Sequence, residues 1–200
     1  MTPADREVHP IEAESYRILR SRVDTASLPP WTRAVVERVV HTSADLAYVD
    51  DLVCQESDLE RAATLLRDAV PVVVDAEMVA AGVTSYDTLC FVRYRRTREL
   101  AESTGQTRSA AAVHVALGEV PPGAIWVVSN APTFLAELLE VAGRAQPSLV
   151  VGLPVGFVGA TESKHALRES GLPCVTNRTE KGGSAVAAAT VNALLYGSPI

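Results

Sequence analysis

From Pro71 onward the chain changes its beat, and that change limits what it can fold into more than any other feature. Five short runs rich in β-branched or other apolar residues, 72–74, 89–92, 125–128, 149–151 and 174–176, read as strands. Between them lie segments with helical spacing, 76–81, 108–117, 132–142 and 162–170, with 184–195 closing the series. Strand runs that alternate with helices predict an α/β fold with a mainly parallel central sheet flanked by helices. Gly82, Gly118, Gly143 and Gly171 each stand just past a helix, where a left-handed glycine stop is expected.

The N-terminal third reads as helical. His9-Pro10 opens a helix with Glu12 and Glu14 in its first turn, where carboxylates meet the positive end of the helix dipole. Ile11, Ser15, Ile18, Leu19 and Arg22 fall on one side of it. A second helix begins near Pro30, carries Trp31, Val35, Val36, Val39 and Val40 at helical spacing, and ends at or just after His41. Ser57-Asp58-Leu59-Glu60 has the form of a capping box ahead of a further helix. No repeat or linker divides the chain, so residues 1–200 are expected to form one domain.

With 48% hydrophobic residues in 200, the chain can bury a sizeable core without metals or disulfides. Cys54, Cys90 and Cys174 are far apart and lack ligand spacing, which fits a reducing cytoplasm. Residues 1–8 carry Asp5, Arg6 and Glu7 in place of a basic segment followed by an apolar run, and no apolar stretch is long enough to cross a bilayer. A formal net charge of -6 argues against nucleic acid as a partner. All but two of the basic residues are Arg, a side chain whose planar fork grips carboxylates in pairs, although a composition bias alone locates no site.

In an open α/β sheet, ligands settle beyond the carboxyl ends of the strands. The segments leaving strands three to five, 129–133, 152–159 and 176–183, are polar and rich in glycine, so exposed amides there could receive a polyanionic small molecule. Neither GxxxxGK[ST] nor GxGxxG occurs, and the same glycines could serve only as tight turns. Of the four histidines His41 is the most informative, because Arg38 lies three positions earlier on the same helix and a cation beside an acid-base group suits an anionic ligand. His9 reads as the residue that opens a helix, His114 as part of a packed Ala-rich face, and His165 as a surface residue. No GxSxG, HExxH or carboxylate cluster points to a hydrolase or a metal site.

Six segments taken together resemble the precorrin-8X methylmutases: 9–19 (HPIEAESYRIL), 37–45 (ERVVHTSAD), 107–112 (TRSAAA), 129–133 (SNAPT), 152–159 (GLPVGFVG) and 181–189 (KGGSAVAAA). The resemblance runs in order over nearly the whole chain. It implies an α/β homodimer with active sites near the subunit interface, no cofactor, and migration of a methyl group from C11 to C12 of precorrin-8X or cobalt-precorrin-8. By the same resemblance His41 falls on the proton donor and acceptor, and Ser15, Arg38 and Arg108 fall on substrate contacts. Asn130 and Gly156, in the loops after two strands, are expected to add further contacts. The stretch 91–98 (FVRYRRTR) is more basic than the resemblance leads one to expect, and reads as a solvated edge or, if it faces the pocket, as a selector of ring carboxylates. A non-catalytic corrinoid carrier and a nucleotide-dependent α/β enzyme are the rival readings of these segments.

Overall fold

A computed structural model describes residues 9–197; the stretch 1–8, on which the expectation about targeting rests, lies outside them. The Nδ1 of His9 accepts from the Ile11 amide at 3.2 Å and opens α1 (Pro10–Arg22), followed by α2 (Pro30–Ser43) and the single turn α3 (Tyr48–Asp51). Then come β1 (Leu52–Cys54), α4 (Glu56–Arg67), β2 (Val72–Val74), α5 (Glu77–Gly82), β3 (Leu89–Cys90), α6 (Arg95–Thr104) and α7 (Arg108–Leu117). The chain continues through β4 (Ile125–Val128), α8 (Pro132–Glu140), α9 (Ala142–Ala145), β5 (Leu149–Gly152), α10 (Ala160–Glu169), β6 (Cys174–Asn177) and α11 (Ser184–Tyr196).

The six strands form one sheet in the order β1-β6-β5-β4-β2-β3, parallel throughout except for β1, which runs antiparallel on β6. Successive strand residues point to opposite faces. Val72, Val74, Ile125, Val127, Leu149, Val151 and Val175 therefore pack beneath α2, α4, α5 and α11, while Val73, Trp126, Val128 and Val150 pack against α7 and α8. Burial on both faces explains why the strands read as unbroken apolar runs. The expected α/β architecture is the observed one.

Several local expectations give way. β1 and α6 went unread, and the third strand stops at Cys90, short of position 92. The capping box at Ser57 does not form, because α4 already starts at Glu56. Glu56 instead caps α2: its carboxylate accepts from the amides of Trp31 and Thr32, both at 2.8 Å, since Pro29 and Pro30 have no side-chain oxygen to do so. Of the four glycine stops only Gly171 is left-handed, at φ 73°; Gly82 is small because a Cβ there would meet that of Ala188 on α11 at 2.8 Å. The predicted helix over 132–142 breaks at Val141 into α8 and α9.

One buried carboxylate ties α1 to α2. Glu37 is fully buried and accepts from Arg20 Nε and Nη2 (3.0 and 2.7 Å) on α1, from Arg33 Nε (2.9 Å), and from Thr25 Oγ1 (2.5 Å). Burial by itself would raise the carboxyl pKa, but the hydrogen bonds from Arg20, Thr25 and Arg33 outweigh it and hold the group below its ordinary 4.5. A lowered folded pKa contributes stability that is present above the unfolded value and lost as pH falls through the folded one. Glu37→Gln should therefore lower unfolding free energy by about 2–3 kcal/mol at neutral pH. In urea titrations the gap between wild type and variant should narrow below about pH 4.

Candidate functional site

The connection from β2 runs outward to β3 while that from β4 runs the opposite way to β5, so the carboxyl ends of β2 and β4 form the topological switch point of the sheet, where a ligand crevice is expected. Asp75 closes it. This buried side chain, directly after β2, accepts from Ser129 Oγ at 2.8 Å and from the amides of Asn130 and Ala131 at 2.7 and 3.0 Å. Those amides were expected to receive an anionic ligand, but the protein's own carboxylate already occupies them. The Asn130 residue itself is exposed.

The other two strand-end loops are zipped to one another. Gly156 N donates to Glu180 O (3.1 Å) and Gly183 N to Leu153 O (2.9 Å). Gly182, at φ 156°, lies so close to the 153–154 backbone that a Cβ would sit 2.2 Å from Leu153 O. Beneath them Lys164, fully buried, donates to Asn177 Oδ1, Thr179 O and Lys181 O at 2.9, 2.5 and 2.7 Å. Burial pulls its pKa down to about 8, against the opposing charges of Asp51 and Glu180, so the amine remains mostly charged at neutral pH. Asp51 completes the network by accepting from Asn177 Nδ2, Thr179 Oγ1 and the amides of Arg178 and Thr179. Lys181 then reaches Asp45 Oδ2 at 2.6 Å, just past the end of α2, which fixes that end of the helix at the carboxyl side of the sheet.

His41 lies in the last turn of α2. Its Nδ1 is 2.8 Å from Ser15 Oγ on α1, and its ring stacks on Tyr16 with centroids 4.9 Å apart and planes 8° from parallel. Ser15, Ile18, Leu19, Arg22, Val40, His41, Ala44 and Leu46 line a depression of about 180 Å³. Two walls come from the α1 face already recognised by spacing. The stacking of Tyr16 and the wall at Leu46 were not anticipated, because both depend on how α1 crosses α2.

Arg38 does not enter that depression. Although close to His41 along the helix, its side chain is drawn away: Nη2 lies 3.6 Å from Glu12 Oε1 and the guanidinium sits 5.9 Å from the Tyr196 ring centre. It is 9% exposed, and its Nε and Nη2 find no hydrogen-bond acceptor among the described residues. A single shared pocket for His41 and the flanking guanidiniums is therefore not what the chain presents; Arg22 is the cation at the depression. Arg108 stands elsewhere, in a cavity with Arg93 and Arg98, and Gly156 belongs to the zipped loops, whose tip exposes Phe157 at 94% and Val158 at 88%. His114 pairs with Glu137 at 2.6 Å, and His165 is exposed. Among the described residues no group of His, Cys, Asp and Glu could hold a metal ion, and no helix is long and apolar enough to cross a membrane.

The family model described as CbiC: Precorrin-8X methylmutase matches residues 10–197, almost every residue of the chain. The chain belongs to the precorrin-8X methylmutase family. It is 39% identical to the cobalt-precorrin-8 methylmutase of Salmonella typhimurium over 198 residues, 93% of each chain. Against the precorrin-8X methylmutase of a Sinorhizobium species it is 36% identical over 199 residues, 94% of each. A solved structure of precorrin-8x methyl mutase from Thermus thermophilus superposes with a TM-score of 0.84 at 32% identity, covering 94% of this chain and 96% of that one. This methylmutase is thus an isomerase of cobalamin biosynthesis, on an α/β fold shared with that structure.

The Asp51 network gives the first test of how the methylmutase holds its strand-end loops. Asp51→Asn keeps one acceptor oxygen and turns the other into a donor, so either the amides of Arg178 and Thr179 or the Thr179 hydroxyl and Asn177 Nδ2 lose their acceptor, and amide hydrogen exchange at 178–183 should rise at least tenfold while β4 and β5 stay unchanged.

Proposed function

We propose that this methylmutase moves a methyl group from C11 to C12 of precorrin-8X or cobalt-precorrin-8, with His41 as its general acid and base. The observation that carries this reading is the Ser15–His41 pair: the hydroxyl engages Nδ1 at 2.8 Å and Tyr16 stacks on the ring, so the imidazole is oriented before substrate arrives. Nε2 is then the nitrogen that exchanges the proton. As imidazolium, His41 protonates or hydrogen-bonds the conjugated ring near the migrating methyl, lowers the barrier to the shift, and recovers the proton as the product's conjugation is restored. Atoms and charge balance without any cofactor.

Substrate contacts are assigned to Ser15, Arg38, Arg108, Asn130 and Gly156. Arg38 keeps unfilled donors for a ring carboxylate, and an apolar macrocycle edge suits Ile18 and Leu46, both partly exposed beside His41. A depression of about 180 Å³ is below the ~300–1,000 Å³ of pockets that enclose a small ligand, and a tetrapyrrole is large. A second copy of the chain therefore supplies the missing walls in a homodimer, and the enzyme acts in the cytoplasm as one domain per subunit. A mere carrier would have no use for a stacked, hydrogen-bonded imidazole.

Purified protein mixed with precorrin-8X and followed by absorption should convert it to hydrogenobyrinate. His41→Ala should reduce turnover by about 10²- to 10⁴-fold while corrinoid binding persists, and normal turnover by that variant would rule out His41 as the acid. Ser15→Ala should lower kcat by roughly tenfold through loss of ring orientation and also raise KM, because the hydroxyl is assigned a substrate contact as well.

A further inference from the structure

The basic stretch 91–98 divides into two kinds of arginine. Arg95 and Arg96 point outward and are paired, with Glu99 at 3.1 Å and Glu119 at 2.5 Å. Arg93 and Arg98 instead join Arg108, Val92 and Tyr94 around one cavity of about 300 Å³. None of these three guanidiniums has a carboxylate partner among the described residues, in a protein whose net charge is -6.

α6 begins directly after Tyr94 with no side-chain cap and no acidic residue in its first turn, where it carries Arg95 and Arg96, and Arg98 follows. α7 begins at Arg108, again with no acid in its first turn. The amino end of a helix is its positive end and repels cations. Two such ends, that of α7 capped by the Thr107 hydroxyl, and three exposed guanidiniums without a carboxylate partner gather positive potential around one cavity, which favours an anion there. The cavity stands at the β3 edge on the sheet face opposite α2, and no residue lines both it and the His41 depression.

We propose that Arg93, Arg98 and Arg108 form a binding site for two neighbouring carboxylates of a polycarboxylate. The guanidinium fork matches a carboxylate in both spacing and plane, and two or three forks around a small cavity hold a pair of carboxylates far better than one. The space suits a tricarboxylate of citrate size or two acidic side chains at the rim of a larger ring, and it is too small for a whole macrocycle. The carboxylates come either from the tetrapyrrole itself, presented by a second copy of the chain, or from a free polycarboxylate; only the first source rests on the function proposed above.

The test uses the full chain and an Arg93→Ala/Arg98→Ala double variant, whose exposed side chains can be removed without opening the core. Calorimetry with citrate should show binding to the wild type that weakens at least about tenfold in the variant, with both proteins melting at similar temperature. If the tetrapyrrole is the source, citrate competes with it, and the variant's KM rises about tenfold while kcat moves less than twofold. If the source is a free polycarboxylate, citrate binds without competing. Equal citrate affinity in the two proteins, or no citrate binding by either together with an unchanged KM, overturns the site. Loss of turnover in His41→Ala leaves these outcomes unaltered, so the two readings fail separately.

Discussion

Glu37 sets the geometry on which the rest depends. A carboxylate with no solvent exposure is tolerable only if its charge is matched and its lone pairs are filled, and here two arginines and a threonine do both. Because Arg20 comes from α1 and Arg33 from α2, satisfying that one charge fixes the crossing of the two helices. The same crossing brings Ser15 against His41 and lays Tyr16 under the imidazole. Apolar packing between α1 and α2 would tolerate sliding; a bidentate pair anchored on a buried carboxylate at the crossing tolerates much less.

A similar logic governs the carboxyl ends of the strands. The sheet below is apolar on both faces, but the loops above it are held almost wholly by polar contacts: Asp75 under 129–131, Asp51 and Lys164 under 177–181, and Lys181 against Asp45. Fully satisfied networks of this kind define one arrangement at the expense of desolvation. Each anchor also consumes donors that an anionic ligand could otherwise use. This is why the three amide-rich loops offer less to such a ligand than their glycine content implies.

What could be read from the chain before folding follows from how local each determinant is. The alternation after Pro71 exposed the α/β class, since strands buried on both faces betray themselves by composition, and the spacing of Ser15, Ile18, Leu19 and Arg22 exposed the α1 face that borders His41. β1 escaped notice because it is a three-residue antiparallel edge whose identity comes from pairing with β6, 120 or so residues away. α6 escaped because its charged residues hide a helical period, and Glu56 as the cap of α2 because donor and acceptor are over twenty residues apart. Arg38 shows the limit of spacing arguments: three residues along a helix brings two backbones together, but a long side chain follows its charge partner, here Glu12.

The imidazole at position 41, oriented by Ser15 and Tyr16, is the group proposed to meet the macrocycle. Nitrogen NMR of the four histidines during titration with hydrogenobyrinate addresses this directly, since each imidazole nitrogen reports its own protonation and hydrogen bonding. The Nε2 resonance of His41 should shift as the corrinoid binds while those of His9, His114 and His165 hold still. A saturable corrinoid complex in which His41 does not respond would contradict it.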